Sequence, residues 1–210
     1  MKENGIGLQG RLKDMWRRYG AGGFAGKCLV KALAILGVRV RISCHYAKRL
    51  DLTAISIKSE YRELDLEDFQ TQIQIHPERF TEEKMSRIKD AFGVEGNHAY
   101  GVYAGNLLAG YGWISTVWMV NRGRRLKENV GYLWDGYTHP AYRGRGLHGD
   151  LIRIRERELV RMGKSVAAVT VDFYNSASKV GFERAGYVLK SKVFSWSVGG
   201  GRVRSRVKKF

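Results

Sequence analysis

Apolar and polar positions alternate with different periods along the chain. Leu8, Leu12, Met15, Trp16 and Tyr19 recur at helical spacing with Arg11, Lys13, Arg17 and Arg18 between them, which predicts an amphipathic helix. A glycine-rich break spans residues 20–26, and residues 24–38 are mostly apolar, interrupted by Lys27 and Lys31. A folded domain is expected to begin near Asp51. Its elements read as a strand at 54–61, helices at 64–75 and 78–92, and a short strand at 98–103. Gly105-Asn106 is a hairpin turn into a returning strand at 107–119. A polar loop at 121–128 precedes an aromatic-rich strand at 130–138. The rest reads as a helix at 146–162, a β-branched strand at 165–171, a helix at 175–185 and one or two strands within 188–198. This order predicts a mixed α/β sandwich.

Length and charge refine that picture. A chain of 210 residues makes one domain with room for an added arm. We divide it into a basic amphipathic helical arm (1–50), the folded domain (51–198) and a basic tail (199–210). The formal net charge of +17 is concentrated at the ends: 11 Lys/Arg against two acids in residues 1–50, and five Lys/Arg with no acid in residues 199–210. The ends are therefore expected to face something anionic: a membrane surface, a nucleic acid or an acidic partner. A solvated surface is the plainer alternative. Residues 24–38 fit a helix lying in a membrane interface, and equally a helix packed on the core or on a second subunit of a homodimer. Cys28 and Cys44 make no disulfide framework, and with the scattered His45, His76 and His98 they make no metal set, so no metal is expected. The absence of a spanning-length apolar run or signal pattern leads us to expect a cytoplasmic chain, with peripheral attachment at the inner face of the membrane through residues 1–50 as the variant.

The chemistry-bearing stretch runs from Trp134 to Leu151. A strand leads into Thr138-His139-Pro140-Ala141-Tyr142, then Arg143-Gly144-Arg145-Gly146-Leu147-His148, where a helix starts. Glycines let backbone approach a ligand closely, first-turn amides have no intrahelical acceptor, and the helix dipole and two arginines add positive charge. This is an anion cradle suited to phosphate. The Gly-Lys-Ser/Thr of a nucleoside-triphosphate loop is absent, and the three-glycine dinucleotide spacing does not fit.

The run Thr138-His139-Pro140-Ala141-Tyr142-Arg143-Gly144-Arg145-Gly146 is followed, one helix and one strand later, by Asn175-Ser176-Ala177-Ser178 and Phe182-Glu183-Arg184-Ala185-Gly186-Tyr187. In these two motifs and their separation, the chain resembles the Gcn5-related N-acetyltransferase (GNAT) superfamily over roughly residues 54–198. The resemblance implies a mixed, mostly antiparallel central sheet flanked by helices, here with an N-terminal helical arm. It implies that amides from Arg143 to His148 hold the pyrophosphate of acetyl-CoA or a longer acyl-CoA. It implies that Tyr137 and Thr138 pair with the pantetheine arm and polarise the thioester carbonyl, while Asn175 and Ser178 contact the far pantetheine. The implied reaction is direct attack by an amine on the thioester. Two positions depart from the family pattern. His148 stands where Gly or Ala is usual, and Phe182 stands where many members carry a tyrosine proposed to protonate the thiolate. Tyr174 is a nearby tyrosine with no assigned part.

Individual residues keep two readings each. Asp135 is the leading base candidate, an acid in an apolar strand where burial would raise its pKa, or else a structural carboxylate. Tyr132 could relay a proton or be core. His148 and, less so, His139 lie near the cradle as catalytic or structural groups. Asp172 could orient substrate or cap a helix. Trp113, Trp118 and Trp134 could line an acceptor cleft or pack the core. The leading function is acyl-CoA-dependent N-acyl transfer to a small-molecule or glycan- or lipid-linked amine. The alternatives are a nucleic-acid-associated basic protein and a catalytically silent acyl-CoA-binding module.

Overall fold

A computed structural model describes residues 8–51, 55, 57–75, 80–119 and 124–210. The beginnings of the strand expected at 54–61 and of the helix expected at 78–92, the loop residues 121–123 and His76 lie outside them. In chain order the elements are α1 (Leu8–Ile35), β1 (Val38–Arg49), β2 (Arg62–Leu64), α2 (Leu66–Ile75), α3 (Glu82–Phe92), β3 (Asn97–Ala104) and β4 (Leu107–Ser115). They continue with β5 (Trp118–Met119), β6 (Arg124–Arg125), β7 (Val130–Thr138), a single 3-10 turn (Pro140–Tyr142), α4 (Leu147–Arg161), β8 (Val166–Asp172), α5 (Ser176–Arg184), β9 (Val188–Val198) and β10 (Arg204–Lys209). This is the expected fold class: a mixed, mostly antiparallel sheet flanked by helices, with an N-terminal helix.

The elements group into two compact units, one of residues 48–169 and one of residues 1–47 with 170–210. In the first, β2, β3, β4 and β7 pair antiparallel in that order, and β7 pairs with β8 in parallel. One face packs Tyr111 and Trp113 against Phe69 of α2 and Phe92 of α3, with Phe69 stacked on Trp113 at 6.0 Å between ring centroids. Against the sheet α4 buries Leu151, Ile152, Ile154 and Leu159, recurring at helical spacing.

In the second unit β9 lies between β1 and β10, antiparallel to both. Residues 38–49, read from sequence as part of the helical arm, form β1; Val38, Val40 and Ile42 alternate with Arg39 and Arg41 at the period of a strand. The basic tail also has a ladder partner, from Arg204↔Trp196 to Lys209↔Ser191. Residues 57–61, by contrast, form no strand. The glycine break is a kink rather than a gap: α1 continues through Gly20, whose φ of 65° is non-helical. Among the described residues no helix is long and apolar enough to cross a membrane.

α1 docks on α5 and on Tyr174. Lys27 Nζ lies 2.5 Å from the Asp172 carboxylate, and Ser176 donates to the Tyr19 carbonyl at 3.3 Å. A Cβ on Gly26 would fall 2.1 Å from the Tyr174 ring. Gly26→Val should therefore push α1 off this surface, destabilising the protein by about 1–3 kcal/mol, the usual cost of overpacking. The check is a thermal melt, in which the variant should unfold several degrees below the parent.

Candidate active site

The geometry of the site begins with a mismatch between β4 and β7. Tyr111 pairs with Tyr137 and Trp113 with Trp134, so Gly112 faces two residues, Asp135 and Gly136. The extra residue makes a bulge, which bends the strand and re-aims its side chain. Asp135 takes φ 39°, the one positive value at a non-glycine among the described residues, and Asp is one of the types that tolerates it. The bulge turns Asp135 out to an exposed position, so the burial expected from its apolar neighbours is absent.

Behind the bulge lies Arg155, 1% exposed. Its Nε donates to the Leu151 carbonyl at 2.8 Å, and Nη1 approaches the Trp134 carbonyl at 3.5 Å. A Cβ on Gly112 would come within 2.8 Å of the guanidinium. Glycine at 112 thus leaves the space that the arginine fills. Arg155 links the bulge in β7 to α4, the helix that opens at the cradle.

The cradle is built by two tight turns. Tyr142 and Arg143 donate their amides to the carbonyls of His139 and Pro140 at 2.9 and 3.3 Å, and the His139 ring accepts from the Ala141 amide at 3.2 Å. Gly149 and Asp150 both donate to the Gly146 carbonyl, at 2.9 and 3.2 Å. Between these bonded groups stand Gly144 through Leu147, where Gly144 and Gly146 have φ of 81° and 82°, a conformation that suits glycine. The arrangement puts successive amides at the head of α4, where helix geometry gives them no internal acceptor. Arg143, whose amide is used in the turn, donates Nε to the Thr138 carbonyl at 3.2 Å, and Arg145 lies over the Tyr142 ring at 5.3 Å.

β7 joins cradle and bulge. Its ladder with β8 covers Val130–Leu133, whereas its ladder with β4 continues to Thr138. Backbone from Trp134 to Thr138 therefore extends past the β8 ladder. The Thr138 hydroxyl is buried there without a protein hydrogen bond, and Tyr137 packs on Tyr111 at 5.4 Å. Burial, then the Asp135 charge, hold the Tyr111 hydroxyl well above its usual pKa.

Among the described residues the bulge also borders a cleft of about 730 Å³. Trp113, Trp118, Trp134 and Asp135 line one part of it and α3 residues including Lys84, Arg87 and Asp90 another. The tryptophans thus serve both readings made from sequence, since Trp113 is fully buried and also forms wall. Sequence reasoning missed Arg155, although it lies four residues after Leu151 on the apolar side of α4 and the pattern could have flagged it. It also missed Lys84, Arg87 and Asp90, which carry no signal in a charged helix.

The remaining candidates belong to the sheet or to the other unit. Tyr132 is 1% exposed in the sheet, opposite Ser115. In the other unit, Asn175 caps α5 by accepting from the Ser178 amide at 3.1 Å, and Asp172 pairs with Lys27 and accepts from the Tyr174 amide at 2.9 Å. Phe182 is buried against Tyr187 at 5.0 Å.

His148 sits in the first turn of α4, and its pKa is lowered to about 4 by burial first and by the Arg155 charge second. It is neutral at pH 7. Because the unfolded chain binds this proton more readily, the contribution to stability is complete above about pH 6.5 and is lost as pH falls towards 4. His148→Gln should flatten the melting-temperature profile between those limits and leave its slope above pH 7 unchanged.

Comparison with known proteins adds the following. The family described as acetyltransferase (GNAT) family matches residues 58–187. No curated protein matches the chain at a significant level. Among solved structures, a GCN5-related N-acetyltransferase from Sphaerobacter thermophilus is 17% identical with a TM-score of 0.53, covering 82% of this chain and 56% of that one. A Drosophila protein is 17% identical with a TM-score of 0.53, covering 84% of this chain and 57% of that one. A functionally unknown conserved protein from Staphylococcus epidermidis is 10% identical with a TM-score of 0.53, covering 80% and 65%. At these identities the likeness is one of fold, and the chain spans only 56–65% of the length of these three proteins.

Proposed function

The chain belongs to the GNAT family of acetyltransferases, and from that membership we propose that it is an acyl-CoA-dependent N-acyltransferase acting on a small-molecule or glycan- or lipid-linked amine. The observation that carries this reading is the continuity of β7. One strand holds the bulge at Asp135, backbone extending past its β8 ladder, and the entry to the Gly144–Leu147 cradle. These groups fit acyl-CoA: the cradle amides with Arg143 and Arg145 suit a pyrophosphate, and the Thr138 hydroxyl is a buried polar group without a protein partner. Acyl-CoA supplies an activated thioester carbonyl.

In this reading the strand at Tyr137 and Thr138 orients the donor, and the Thr138 amide, on the side away from β4, helps polarise its carbonyl. Asp135, exposed on the bulge at the cleft, takes a proton from the ammonium of the acceptor, directly or through water, so that a neutral amine attacks. The new C–N bond replaces the C–S bond, and the thiolate leaves with a proton from solvent or the attacking amine. Phe182 has no proton to give, and Tyr174 is packed against Gly26. His148, neutral at pH 7, adds no charge of its own beside the cradle.

Gly146→Val forces a β-branched residue into positive φ and should weaken acetyl-CoA binding by about 5- to 150-fold by calorimetry, since a strain of about 1–3 kcal/mol at this position opposes the binding geometry. Unchanged affinity would remove the cradle from the account. Asp135→Asn should keep the acetyl-CoA affinity and the melting temperature while lowering kcat/KM about 10²–10⁴-fold, the usual range for losing a general base. A variant as active as the parent would exclude Asp135 as the base. Acetyl-CoA binding with no turnover of any amine would favour a catalytically silent module.

A further inference from the structure

The cleft beside Asp135 carries information about the acceptor, and the inference drawn from it rests on the acyl-transfer reading above. Its volume of about 730 Å³ falls in the range of small-molecule sites. One wall is aromatic: the Trp113 and Trp134 rings lie 4.9 Å apart at 27°, and Trp118 is 38% exposed. The indole nitrogens of Trp113 and Trp134 and the side-chain oxygen of Asn97 are buried away from solvent, so the wall meets the cleft with ring surface.

The charges lining the cleft are of both signs. Asp135 projects from the bulge and Asp90 from the end of α3. Lys84 and Arg87, three residues apart on one side of α3, line the same cleft. The Lys84 ammonium lies over the rings of Phe80, Tyr111 and Tyr137, at 4.6, 5.2 and 4.9 Å, which holds a cation at the Tyr137 end of β7. A simple cationic amine entering here would gain Asp135 and Asp90 but also meet the like charges of Lys84 and Arg87. An amine that also carries an anion would satisfy both sets, while a flat or cyclic body suits the indole wall.

We propose that the acceptor is a ring-bearing amine that also carries an anionic group, a carboxylate or a phosphate, with its ammonium at Asp135, its ring against the tryptophans and its anion at Lys84 and Arg87. Arg87 is the residue to test, because it is exposed on α3 and stands apart from the transfer step.

The experiment compares matched acceptors on the full chain with acetyl-CoA: tryptophan against tryptamine, and glucosamine 6-phosphate against glucosamine. Free CoA release gives kcat/KM, and titration of each acceptor into protein saturated with CoA gives affinity independently of turnover. In at least one pair the anionic member should be favoured about tenfold or more, as a charge-assisted contact predicts. The favoured pair identifies carboxylate or phosphate. Arg87→Ala should abolish that preference with acetyl-CoA affinity and melting temperature unchanged. The proposal is overturned if the anion-free member binds and reacts as well in both pairs, or if neither anionic acceptor binds more tightly, or if Arg87→Ala preserves the preference. Failure of acetyl-CoA itself to bind would instead overturn the acyl-transfer reading.

Discussion

The residue that β7 carries in excess of β4 determines what lies on either side of it. With Gly112 facing both Asp135 and Gly136, the strand cannot stay flat, and Asp135 adopts φ 39°. The space above Gly112 is filled by the Arg155 guanidinium, which bonds to its own helix and approaches the Trp134 carbonyl. A buried cation ties strand to helix where the strand bends, and the same helix begins at the cradle. A single register shift therefore sets the acid, the cleft wall and the approach to the anion site. Positive φ at a non-glycine is the kind of strain that persists where surrounding structure enforces it.

Charge is distributed with the same economy. Burial first, and the Arg155 charge second, keep His148 neutral at the head of α4, where its ring would otherwise titrate near physiological pH. The basic residues of the last strand have a structural role as well: β10 ends the sheet order, and its exposed Arg204, Arg206, Lys208 and Lys209 sit on an edge strand. Lysines and arginines on an edge discourage further strand addition. These four residues carry most of the five positive charges of residues 199–210.

The parts of the site legible in the sequence are those made by neighbours in the chain. Gly144, Gly146 and the start of α4 are local, so the cradle could be read from residue types alone. Asp135 could be named but its environment could not, because the bulge is fixed by its partner strand and an acid between Trp134 and Gly136 looks buried. Arg155 and the α3 charges were missed for the same reason: their meaning comes from what α4 and α3 pack against. In the fold, the hairpin at Gly105-Asn106 and the helices with clear apolar stripes were legible. β1 was not, because its alternation of Val and Arg follows directly on an amphipathic helix and was read as more of it.

The most direct test of the account is amide hydrogen exchange on the full chain with and without acetyl-CoA. Exchange should slow at Gly144 through Leu147 and at Thr138, with β3 and its turn to β4 unaffected. Protection confined to other segments, or none at saturating acetyl-CoA, would contradict it.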